Sequence, residues 1–183
     1  MSRVQRIAPQ DMTGGQRALY AAITGGPRAT GPQHFALTAE DGSLYGPFNA
    51  MLLSPGVGSA LQQLGSTLRF ETVLSPRVRE LAILIVAARW DSEFERNSHE
   101  AVGRAIGLSD DELAAVRRGE IPKLDDPAEA AAIALVHAMA SGDVDDDSWT
   151  TNVPVIGEAA TFELSTLVGY YATLALQLRI FRV

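Results

Sequence analysis

With 183 residues, 46% of them hydrophobic and 20% charged, the chain has the balance of a globular protein and the length of one domain with a buried core. It contains no cysteine, which excludes disulfide frameworks, thiol nucleophiles and dithiol redox cycles. A net charge of −7 and a pI near 4.9, with no stripe of Lys and Arg, argue against a nucleic-acid partner.

The amino terminus carries Arg3 and Arg6 with no apolar stretch behind them, so it does not read as a signal peptide, and a cytoplasmic location is expected. No repeat recurs at the periods of a solenoid. The first predicted helix runs from about Thr13 to Thr24 and is closed by Gly25, Gly26 and Pro27. Between Arg28 and Pro47 the periodicity gives way to Gly, Pro and Thr, with a small hairpin expected from Phe35 to Tyr45 around Asp41-Gly42. Together with what precedes it, this makes residues 1–53 a loop-rich amino-terminal region.

After Pro55, residues Val57, Leu61, Leu64, Leu68 and Phe70 recur at helical spacing. Ser75-Pro76 opens a further helix to about Trp90, with Ser as cap and Pro in the first turn. Its run Leu81 to Ala88 is apolar all round and flanked by Glu80 and Arg89. That is the pattern of a central buried helix, with a strand as the lesser alternative, and it falls well short of the roughly 20 residues of a membrane span. The next helix spans about Ser92 to Gly107, and Ser109 with Glu112 forms a capping box opening a short helix to about Arg118. Asp126-Pro127 starts another, through Met139, closed by Ser141-Gly142. The acidic run Asp143 to Asp147 reads as a solvated linker into a poorly defined segment, without the spacing of a calcium loop. A long apolar helix, about Glu158 to Phe181, closes the chain. Leu167, Tyr170, Tyr171, Leu174 and Leu178 give it one broad face, which predicts a subunit interface. The fold class is therefore all-α, a compact helical bundle over residues 1–183.

Two readings compete at Ser92, Glu95 and His99. On a helix, Glu95 and His99 are four residues apart and share a face, so they form a candidate acid–base pair. Ser92 and Glu95 also match a capping box, in which Glu95 would only hold a helix end. Glu80 tips the balance, because a carboxylate at the head of a buried helix must find a partner or change its pKa. A tight turn at Trp90-Asp91 would bring it towards His99. A metal site from Glu80, Glu95 and His99 has only a modest ligand set, and none is predicted. His34 lies in the Gly- and Pro-rich loop as a candidate ligand contact. Arg79 and Arg89 are expected to pair with acids on neighbouring helices, with binding of a substrate carboxylate as the lesser alternative, and His137 to pack within its helix. Tyr170 and Tyr171 are read as interface or core residues.

Arg79-Glu80-Leu-Ala-Ile-Leu, then Ser92-Glu-Phe-Glu95 with His99, then Ala105-Ile-Gly-Leu-Ser-Asp-Asp-Glu112 resemble the core of the carboxymuconolactone decarboxylase and alkylhydroperoxidase D superfamily. The resemblance covers about residues 54–120, with weaker likeness at Gly46 to Met51 and Gly169 to Tyr171. In the peroxidase branch the pattern is a glutamate, a Cys-x-x-Cys pair and a histidine. Here the glutamate falls on Glu80, the histidine on His99 and the two cysteine positions on Ser92 and Glu95, so thiol peroxidase chemistry is not implied. The decarboxylase branch resembles this chain in having Glu-x-x-x-His at Glu95 and His99. The resemblance implies a cofactor-independent enzyme acting on a small carboxylated or lactone-like organic acid, with decarboxylation first and lactone opening or isomerisation second. Its catalytic residues would be His99, Glu95 and Glu80, with Ser92 and His34 touching substrate. It also implies a homo-oligomer, a trimer or hexamer. The competing expectation is a non-catalytic ligand-binding or assembly protein that keeps the scaffold.

Overall fold

The computed structural model describes residues 2–26, 29 and 36–183. Among these every regular element is helical, apart from one isolated β-bridge, so the fold is the expected all-α bundle. Cα packing divides the chain into two compact units, one of Met1–Glu71 with Leu176–Val183 and one of Thr72–Ala175.

In the first unit, a 3₁₀ turn at Pro9–Asp11 leads into α1, Gly14–Thr24. Thr13 and Gln16 close a capping box at its start, each side chain meeting the other residue's backbone N–H. The expected hairpin survives as a single bridge, Thr38 to Leu44, around the turn at Gly42 (φ 80°), while Phe35 lies outside the described residues. Residues α2, Pro47–Met51, form a short buried helix inside the region expected to be loop. Its Asn49 side chain fastens the amino-terminal segment by accepting from the Ile7 N–H and donating to the Gln5 carbonyl. Helix α3, Pro55–Phe70, packs on α1 and α2. That contact is close enough that a Cβ on Gly58 would fall 2.3 Å from the Met51 carbonyl oxygen.

The second unit is built around α4, Pro76–Trp90, which packs against α5 (Glu93–Ala105), α6 (Asp110–Arg117) and α7 (Pro127–Ser141). Every residue from Leu81 to Ala87 is buried, which is why the run is apolar on all sides. The Ser75 hydroxyl accepts from the Val78 N–H to start α4, Asp91 ends it in the left-handed conformation (φ 50°), and Asp126 and Gly142 bound α7 as expected. Arg77 locks the assembly by donating to Glu112 on α6, Glu129 on α7 and the Gly107 carbonyl.

Two expectations need correction. The segment after the acidic run is helical: α8 spans Asp146–Phe181, with Asp145 accepting from the Ser148 N–H at its start. Acidic residues suit that position because they meet the positive end of the helix dipole. The interruption falls at Gly157 (φ 84°, ψ 160°), immediately before the expected helix start at Glu158. The second correction concerns the α8 face assigned to another subunit. Leu167, Tyr170, Tyr171, Leu174 and Leu178 are all buried within this chain, whereas Phe162 is 72% exposed and Leu176 and Ile180 are also open.

Candidate active site

Helices α4 and α5 form a hairpin about the turn at Asp91-Ser92, and three buried ionisable side chains meet on it. The chain sequence explains the placement. Glu80 lies one turn into α4, at the head of the apolar run, while Glu95 and His99 lie one turn apart on the face of α5 that looks back at it. His99 Nδ1 is 2.6 Å from Glu80 Oε2, and His99 Nε2 is 3.4 Å from Glu95 Oε2. Glu80, Glu95 and His99 are 1%, 3% and 4% exposed, so water does little to screen their charges. Arg79 Nε adds a cation 3.8 Å from the other oxygen of Glu80.

Burial alone pushes the His99 pKa down, but Glu80, and after it Glu95, overrides the desolvation and holds His99 up at about 9. At neutral pH the ring therefore carries its charge, hydrogen-bonded through Nδ1 to Glu80 and ion-paired through Nε2 with Glu95. Tyr171 of α8 stacks on it edge to face, with ring centroids 5.3 Å apart and planes at 89°, and Tyr170 packs against Tyr171 in the same manner. The sequence offered Tyr171 only as a core or interface residue. Its place beside His99 depends on contact between distant helices, and the one signal was the weak family likeness of Gly169 to Tyr171.

The capping-box reading of Ser92 and Glu95 fails for a specific reason. In such a box Glu would accept from the backbone N–H of the Ser, but that N–H already donates to the Ala87 carbonyl at the end of α4 (2.8 Å). The Ser92 side chain makes no cap hydrogen bond. Glu95 turns to His99 instead, and its Oε1, like Ser92 Oγ, is buried without a hydrogen-bond partner.

Other candidates lie elsewhere. His34 falls outside the described residues. Arg79 pairs with Glu80, whereas Arg89 is exposed and, contrary to expectation, makes no ion pair among the described residues. His137 Nε2 donates to the Gly119 carbonyl at 3.1 Å. Arg89 and His137 border a cavity of about 310 Å³ between α4, α6 and α7 that shares no lining residue with Glu80, Glu95 or His99. Among the described residues no group of three or more His, Asp and Glu is placed to hold a metal ion. No helix of the described residues is long and apolar enough to cross a membrane.

A helical hairpin that buries a charged histidine between two glutamates, in a chain without sulfur nucleophiles, defines a class of site suited to proton transfer. Residues 55–138 match the family model of the carboxymuconolactone decarboxylase family. The match runs from α3 into α7, further than the core of about 54–120 expected from the motifs. No curated protein matches the chain.

Proposed function

We propose that this protein is a cofactor-independent acid–base enzyme of the carboxymuconolactone decarboxylase type. Its substrate is a small carboxylated or lactone-like organic acid and its reaction is decarboxylation, with lactone opening or isomerisation as the alternative reaction. The observation that carries the reading is the His99 ring held between the carboxylates of Glu80 and Glu95. Such a group stores a proton in a desolvated place, and proton delivery from a positioned acid is what the reaction needs. In decarboxylation the bond to the carboxylate carbon breaks, carbon dioxide leaves, and the electron pair enters the lactone as an enolate. The enolate then takes a proton on carbon.

Glu80 anchors the ring through Nδ1. The proton on Nε2 passes towards Glu95, whose Oε1 is buried without a hydrogen-bond partner. Ser92 stands beside it as a hydrogen-bond donor to substrate. Thiol peroxidase activity is no part of this reading, since the chain has no sulfur nucleophile. In the same reading the protein is cytoplasmic and works as a homo-oligomer, a trimer or hexamer, an assembly state that light scattering reads directly.

A second reading, a ligand-binding or assembly protein without chemistry, draws on one observation. The ionisable groups are almost closed to solvent, while the cavity of about 310 Å³ lies elsewhere. Screening lactones and carboxylated lactones for ring opening and carbon dioxide release separates the two. With a substrate in hand, His99→Gln lowers turnover by roughly 10² to 10⁴ while the fold is kept, and Glu95→Gln displaces the pH–rate profile. Wild-type turnover by His99→Gln removes His99 from the chemistry.

A further inference from the structure

We infer that the position between Ser92 and Glu95 receives a neutral hydroxyl group of the ligand, an alcohol or enol O–H, and not a carboxylate. The inference rests on the reading of Glu80, His99 and Glu95 as the reactive site and names what that site accepts. Its first support is the hydrogen-bond inventory. Glu95 Oε1 can only accept while the carboxylate is ionised, and Ser92 Oγ can donate one hydrogen. Both atoms are buried and both lack a partner, in residues that are 3% and 7% exposed. Buried polar groups are nearly always satisfied, so a matched acceptor and donor left open mark a place for a third group. Had the two side chains met, each would have satisfied the other. An O–H that donates to Glu95 and accepts from Ser92 completes both at once.

Charge supplies the second support. The cluster to which Glu95 belongs holds two anions, Glu80 and Glu95, and two cations, Arg79 and His99, linked in series by ion pairs. Their charges balance, and Glu93 and Glu95 already occupy the first turn of α5, where the helix end would otherwise favour an anion. A ligand carboxylate placed against Glu95 would bury a third anion with no cation assigned to it and would offer Glu95 Oε1 no hydrogen. The carboxylate of a carboxylated substrate is therefore held away from this position, and the end that carries or develops a hydroxyl enters it.

The test compares phenol with benzoate, which share a ring and differ in the group offered, by calorimetric titration of the whole protein at neutral pH. Proton NMR of the His99 ring reports whether the probe sits at the site. Wild-type protein binds phenol more tightly than benzoate by roughly tenfold, the worth of one hydrogen bond to a charged group. Glu95→Gln removes the charge and supplies N–H donors, so it reverses the preference. Ser92→Ala, which leaves α5 without loss of a cap, weakens phenol and keeps the order of the two probes. Benzoate binding as tightly as phenol, an unchanged preference in Glu95→Gln, binding that leaves the His99 resonances still, or no binding of either probe at millimolar concentration overturns the inference. None of these measurements needs turnover. A protein that prefers phenol at His99 yet turns over no lactone would sink the enzymatic reading alone, and an active enzyme that prefers benzoate would sink only this one.

Discussion

Free histidine gives up its proton near pH 6.5. Between Glu80 and Glu95, His99 keeps it to about pH 9, and the difference links stability to pH. The folded-state pKa lies above the unfolded one, so the stabilisation from the charged ring is complete below about pH 6.5 and is lost as pH rises through about 9. The melting temperature of the wild-type protein should accordingly fall across that window more steeply than that of His99→Gln. Equal slopes in the two proteins would mean that the ring is not charged in the folded state. Tyr171 belongs to the same environment: it covers one side of the ring and keeps water from it. Glu80 was legible as a candidate because a lone acid at the head of an apolar run cannot stay unpartnered, whereas nothing in the spacing of Tyr171 pointed at His99.

At the scale of elements, the sequence marks most helix boundaries by local chemistry. Ser75-Pro76, Ser109 with Glu112, Asp126-Pro127 and Gly142 each act on backbone groups a few residues away, so each can be read without knowing the fold. Ser92 with Glu95 has the spacing of Ser109 with Glu112 and yet does something else. The deciding fact, donation of the Ser92 N–H to the Ala87 carbonyl, belongs to the turn between two packed helices. The acidic run before α8 misleads for a related reason, since acids that look like a linker also suit the first turn of a helix. A paired substitution tests the distinction between the two serines. Ser109→Ala should cost about 1 kcal/mol, the usual worth of a helix cap, in denaturant unfolding. Ser92→Ala should cost far less, because its hydroxyl caps nothing and leaves no partner behind. A comparable loss at both positions would restore Ser92 as a cap.

For the whole molecule, helix periodicity and the absence of cysteine were enough to indicate an all-α chain without thiol chemistry, and the hairpin with Glu80, Glu95 and His99 lies inside the stretch 55–138 that matches the family model. What composition could not reveal was where the apolar surface of the last helix goes. Periodicity gives the width of a face and not its neighbour, and Leu167, Tyr171 and Leu174 are covered by this chain itself. The central claim is that the folded protein holds one buried histidine in its charged form between two glutamates, and NMR titration of His99 tests it most directly. In the wild-type protein the ring should titrate at about 9, and in Glu80→Gln, which removes its nearest anion at 2.6 Å, the midpoint should fall. A wild-type His99 that titrates at about 6.5, or one whose midpoint ignores Glu80→Gln, would contradict the account.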